Sequence, residues 1–269
     1  NITRQISINL IVAIGMTVVI LTGEIDLSVG SIACFSGVAA AVVLGWTNSI
    51  LLAVLAGLAS GLAIGFINGL FIVYGKLQSF IVTLATMGIV RGLALVWTNG
   101  RPISGLKESF EVFGAGYVGV VPVATLMSLL VFAIASVIIT RTKHGPYLKA
   151  IGANREAALL SAIPVNQYRI AAFVISGLLS GLGGVIITSR LLSAAPTAGQ
   201  GMEMDVIAAV ILGGASLSGG VGTVLGTLLG AMIIGVIDNG MNLIGVSAFF
   251  QQVVKGCIIL VAVLAKRGD

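Results

Sequence analysis

Between the apolar runs IVAIGMTVVIL and IACFSGVAAAVVLG, the stretch TGEIDLSVGS (22–31) places Glu24 and Asp26 beside Ser28. Carboxylates in such a setting can cap a helix through its free N–H groups, hold a polar solute, or carry an ion or proton. Capping fits Asp26, because Asp26, Ser28 and Gly30 read as the opening of the apolar segment that follows. Glu24 is expected to be the more exposed of the two. A second acidic pair, Glu203 and Asp205, follows the turn-forming run PTAGQG (196–201) and opens another apolar segment. The same two roles apply there, capping ahead of solute contact. Asp238, Asn239 and Asn242 gather near the end of a later run, either packing there or facing a wet cavity.

Other chemistries find no constellation. His144 is the sole histidine and is expected to be solvated. No nucleophile–base pair or metal cluster can be assembled. The phosphate-cradling pattern GxxxxGK[ST] is absent, since Gly75-Lys76 is followed by Leu77. The chain therefore reads as neither an enzyme nor an ATPase. Cys34 and Cys257 lie apart in apolar runs and read as small core residues, not as a disulfide or ligand pair. Arg91, inside SFIVTLATMGIVRGLALVWTNG, is expected to reach lipid headgroups, with an interhelical pair as the alternative.

The elements that carry these residues follow from composition. Of 269 residues 58% are hydrophobic and 9% charged, where a soluble domain has about 25% charged. So much apolar surface calls for lipid as solvent. Abundant glycine, sparse aromatic residues and long unbroken runs favour packed helices over a barrel. The expectation is an all-α polytopic membrane protein, one transmembrane domain over 1–269. At about 20 residues per crossing, nine spans are read: 5–22, 27–45, 49–74, 78–98, 121–140, 169–190, 204–220, 222–245 and 249–265. The second and seventh, short or glycine-interrupted, are candidates for broken spans. The runs Gly57/Gly61/Gly65/Gly69 and Gly177/Gly181 read as close-packing faces.

Positive charge sets the sidedness. The long polar connection at about 141–168, with Arg169 at its end, also holds Arg141, Lys143, Lys149 and Arg155 against the single acid Glu156. This explains the net charge of +5 without nucleic acid, and places the loop in the cytoplasm. Lys76 and the pair Lys266–Arg267 then also fall inside, and Asn1 outside, so a cytoplasmic start calls for a tenth helix upstream. The chain further reads as an inverted repeat. EID (24–26) matches EMD (203–205), and the Gly-rich run from Gly57 to Asn68-Gly69 matches that from Gly226 to Asn239-Gly240. An odd number of spans separates the copies, a transporter signature.

Three segments, GEIDLSVGSI, GANREAALLSAIPV and PTAGQGMEMDVIAAVILGGASLSGGVGTVLGTLLGA, resemble the ribose-type permeases of bacterial ABC importers over almost the whole chain. Permeases for autoinducer-2, xylose, allose and galactofuranose share the pattern, as do branched-chain amino acid permeases more distantly. The resemblance implies a large type II importer permease of ten helices in the bacterial inner membrane, working as a homodimer or with a close paralogue. It implies an ATPase subunit below, which uses ATP and Mg, and a periplasmic binding protein that delivers a monosaccharide. No cofactor is expected on this chain. The family's ATPase-coupling segment maps to Gly152, Asn154, Glu156, Ala157, Ala158, Ser161 and Ala162. Alanine stands at 162 where the family usually has glycine, which conflicts with any need for positive φ there. Independently, REAALLSAI (155–163) has helix formers at helical spacing and Pro164 to stop it. Such a helix fits a partner's groove or rests on the membrane surface. Two rivals of other classes remain: an ion-coupled secondary transporter driven by an intramembrane acid such as Asp26 or Asp205, and a passive channel.

Overall fold

A computed structural model describes residues 2–265, with side chains given except for Ala248 and 262–265. Asn1 and the Lys266–Arg267 pair lie outside the described residues. Among the described residues, seven helices are long and apolar enough to cross a membrane. They are α1 (Ile2–Leu21), α2 (Val29–Thr47), α3 (Ile50–Val73), α4 (Ser79–Thr98), α5 (Val123–Arg141), α8 (Val165–Leu191) and α10 (Val224–Leu243). Shorter helices are α6 (His144–Ala153), α7 (Arg155–Leu160) and α9 (Met202–Leu212), and α11 (Ala248–Ala265) closes the described chain.

Local signals set the ends. Asn48 and Asn99 take left-handed backbone after α2 and α4, as helix-ending residues do. Ser49 and Thr223 cap α3 and α10, their hydroxyls accepting the Leu52 and Gly226 N–H groups. Pro164 ends the α7 turn and starts α8. Helices α1 and α2 are the buried centre, while α3, α4 and α5 show most of their apolar side chains on the outside. The glycines of α3 face those of α8. A β-carbon on Gly61 would collide with the Gly177 carbonyl, and one on Gly65 with the Phe173 carbonyl. Close backbone approach is what those glycines supply.

The span expected at 204–220 is corrected. Helix α9 has 11 residues and rises about 16 Å, half of what a crossing needs. Five glycines in 213–222 end it, and Gly214, Gly219, Gly220 and Gly222 all have positive φ. This link runs back against α1, where the Gly220 N–H donates to the Leu21 carbonyl at 3.1 Å. Ahead of α9 in the chain, the two-residue strand Ser193–Ala194 pairs antiparallel with Ile103–Ser104. The loop 195–201 then dips inward. Arg91 of α4 donates to the Pro196 and Ala198 carbonyls at 3.2 and 2.6 Å. Arg91 sits about two turns, some 10 Å, from the far end of α4. Its side-chain partners among the described residues are thus backbone carbonyls of a non-helical loop and not an acid, and such carbonyls need a donor that no helix supplies.

Two smaller expectations also change. Cys34 is buried, its Sγ 3.1 Å from the Pro196 carbonyl, but Cys257 is exposed on α11. His144 is exposed yet partnered, with Nδ1 2.8 Å from the Tyr168 hydroxyl.

Candidate functional site

The link between α1 and α2 carries the densest polar network. Contrary to the expectation of exposure, Glu24 is only 4% exposed. Its Oε1 accepts from Nη2 of Arg155 at 2.8 Å and from Nε and Nη2 of Arg169 at 2.7 and 2.5 Å. Arg169, near the start of α8, is itself nearly buried at 9%, while Arg155, at the first position of α7, is 45% exposed. One carboxylate thus ties the central link to the middle and to the end of the basic loop. Removing it would leave a buried guanidinium without its counter-charge.

Two residues on, Asp26 is fully buried. It does not hold the cap position, which falls to Ser28, and Ser28 makes no side-chain cap bond. Instead Asp26 Oδ1 accepts from the Ser28 N–H at 2.9 Å and hydroxyl at 2.5 Å, and Oδ2 from the Ser176 hydroxyl of α8 at 2.8 Å. The chain of bonds continues: Asn68 of α3 donates to Ser28 Oγ at 3.0 Å, and Thr86 of α4 donates to Asn68 Oδ1 at 2.6 Å. Four segments distant in sequence share one hydrogen-bonded chain, each group using its own donor or acceptor. Beside it opens a cleft of about 380 Å³ lined by Glu24, Lys76, Gln78, Arg155 and Arg169.

The basic loop folds as α6 and α7. Asn154 caps α7, its side chain accepting the Ala157 N–H at 3.0 Å. Gly152 faces Leu21 and Gly220 so closely that a β-carbon would strike the Leu21 carbonyl. Ala158 is buried with Ile151, Ile163 and Val165, which seats the helix. Its other side is open: Glu156 and Ala157 are exposed, as are Leu159 at 54% and Leu160 at 90%. Ser161 donates back to the Ala157 carbonyl at 2.9 Å. Ala162 does adopt positive φ, +58°, a left-handed backbone that costs a β-carbon about 1–2 kcal/mol. The conflict noted from the sequence is thus built into the turn.

The second acid pair sits otherwise. Glu203 and Asp205 lie in the first turn of α9, and the cap is Gly201, so neither acid caps. Glu203 lies against Gly30 of α2. Asp205 forms an ion pair with Lys255 of α11 at 2.6 Å, and Lys255 reaches Asp238 of α10 at 3.2 Å. Lys255 was not singled out from the sequence. Asn242 accepts from Gln251 at 2.9 Å, and Asn239 is half-buried without a side-chain partner among the described residues. Because Asp26 lies ahead of its helix and Asp205 inside one, the EID and EMD segments are not structurally equivalent.

The family model for the permease component of branched-chain amino acid transport systems matches residues 1–263. The chain belongs to this permease family. It is 50% identical over 270 residues to the ribose import permease protein RbsC of Bacillus subtilis, covering 99% of this chain and 84% of that one. Against RbsC of Escherichia coli K12 the identity is 46% over 268 residues, 98% of this chain and 84% of the relative. The L-arabinose transport system permease protein AraH of Escherichia coli K12 is 40% identical over 263 residues, 97% and 80% of the two chains. No solved structure matches. Membership agrees with a multi-pass membrane protein whose work is transport.

Proposed function

We propose that this permease is the membrane-spanning subunit of an ATP-driven importer of ribose or a closely similar monosaccharide in a bacterial inner membrane. The observation that carries the mechanism is Arg155. It stands on an exposed helix yet ends on a buried carboxylate at the centre of the fold. In this reading 141–168 is the cytoplasmic coupling loop. The open face of α7, with Glu156, Ala157, Leu159 and Leu160, docks in a groove of a separate ATPase that uses the ATP and Mg. A displacement of α7 reaches Glu24 through Arg155, and from Glu24 reaches α8 through Arg169 and the α1–α2 link through the backbone. The Asp26–Ser28–Asn68–Thr86 chain hands it to α3 and α4. The ATPase state has to bind one arrangement of these helices better than the other; no tight sugar binding by the permease is needed.

The reading includes two copies of the permease, or one and a close paralogue, with a binding protein that delivers sugar from outside. Substrate class rests on the ribose and arabinose permeases it resembles. It also includes nine crossings here and ten in the full-length permease, arranged as an inverted repeat. The loop 195–201 and α9 together then make the broken seventh crossing.

Reconstitution tests it. Liposomes holding the permease alone should accumulate no D-ribose, whereas permease, ATPase and binding protein together should do so when ATP is supplied. Accumulation by the permease alone under a proton or sodium gradient would establish an ion-coupled transporter instead. In the complete system Glu156→Lys should insert normally and lose uptake; unchanged uptake would remove α7 from the coupling role.

A further inference from the structure

At the end of the molecule away from the basic loop, a cleft of about 370 Å³ opens between α1, the end of α8 and the start of α9. Gln5 and Asn9, four residues apart on α1, share the face that lines it. Arg190 comes from the last turn of α8, Gln200 from the inward-dipping loop, and Asp205 from the first turn of α9. Its volume is that of a small-molecule site at the lower end of the usual range.

What marks this cleft is unspent hydrogen-bonding capacity. Asn9 is only 7% exposed, yet its amide has no partner among the described residues. The side chains of Gln5, Arg190 and Gln200 likewise have none there. The Asn9 amide opens onto the cleft, so its hydrogen bonds go to whatever fills that space. The lining carries one charge of each sign, Arg190 and Asp205, and so no net charge. A phosphate or other anion is therefore not favoured. Amides both donate and accept, which is the pattern a hydroxyl presents in return.

We propose that this cleft binds a neutral polyol, a monosaccharide on its way through the permease, with Asn9 and Gln5 as its hydroxyl-reading groups and Arg190 and Gln200 at its rim. This rests on the sugar-import reading above and adds a place within one permease copy where the sugar pauses. The site is expected to be weak, since a pathway must release what it binds.

The test uses the purified chain in nanodiscs with D-ribose as probe, followed by equilibrium dialysis with labelled sugar. Saturable binding is expected, weakened about tenfold in Asn9→Leu, the effect of losing one or two hydrogen bonds. Gln5→Leu, at a half-exposed position, should weaken it less and serves if Asn9→Leu does not fold. Equal binding by wild type and both variants, no binding by folded wild type, or preferential binding of L-leucine or inorganic phosphate would overturn the proposal. If the nanodisc chain binds D-ribose as expected while the complete ATP-driven system imports none, the cleft stands and the import reading falls.

Discussion

Glu24-Ile-Asp26 and Glu203-Met-Asp205 have the same acid–apolar–acid pattern, and the fold uses them in opposite ways. In the first, the leading acid bears the load: Glu24 is buried under two arginines from the basic loop, and Asp26 accepts only neutral hydroxyl and backbone donors. In the second, the trailing acid carries the ion pair, Asp205 with Lys255, and Glu203 has no ion pair among the described residues. The first pair joins the molecule to its basic, exposed loop. The second joins three helices to each other beside a polar cleft. A short acidic pattern therefore does not define a role; the cation that folding brings to it does.

The sharpest way to break the comparison is to remove the leading acid in each pair. Glu24→Ala should destabilise by about 3–5 kcal/mol, the cost of leaving a buried guanidinium unpaired, and sharply lower folded yield. Glu203→Ala should shift the thermal unfolding midpoint little. Equal effects in the two would dissolve the distinction. Next in size, Asp205→Ala leaves Lys255 with the more distant Asp238 alone. It should cost less than Glu24→Ala, and adding Lys255→Met, which strands the buried Asp238, should cost less in that background than Lys255→Met does alone; a double-mutant cycle with no coupling would remove the ion pair from the account. Asp26→Ala should follow, at roughly 1–3 kcal/mol for the donors it strands, lowering folded yield without changing which sugar is carried. A change of sugar preference at normal yield would make Asp26 a substrate group. The smallest expected effect is a gain: Ala162→Gly relieves a left-handed alanine and should stabilise by about 1 kcal/mol, read as a rise in unfolding midpoint.

Much of the fold was legible because lipid imposes it. The seven long helices, the glycine faces of α3 and α8 and the short helix at Arg155 all follow from run length, spacing and breakers. At 204–220 the glycines marked a candidate broken span, and the end of the helix at Leu212 bears out the break. Five glycines after Leu212 weigh heavily against a helix, though hydropathy alone carries the apolar run on to 220. The site was less legible. Glu24 meets Arg155 and Arg169 across 131 and 145 residues, and no local pattern announces such a partner. The scarcity of charge was the available clue, for in a chain this apolar a buried acid calls for a search among the few cations that could pair with it. Searching for those cations would have raised Lys255, the one cation in its run. Arg91 escaped for another reason: its partners are backbone carbonyls of a loop, which carry no sequence mark.

The central claim is that motion enters through Arg155 and passes to the core at Glu24. Its most direct test is the number of D-ribose molecules imported per ATP hydrolysed by the complete reconstituted transporter. With Arg155→Ala, hydrolysis stimulated by the binding protein should persist while import per ATP falls about tenfold, the scale of an ordinary coupling free energy. Arg155→Lys should restore part of it. An unchanged ratio in Arg155→Ala, with the complex assembled and hydrolysing, would contradict the account.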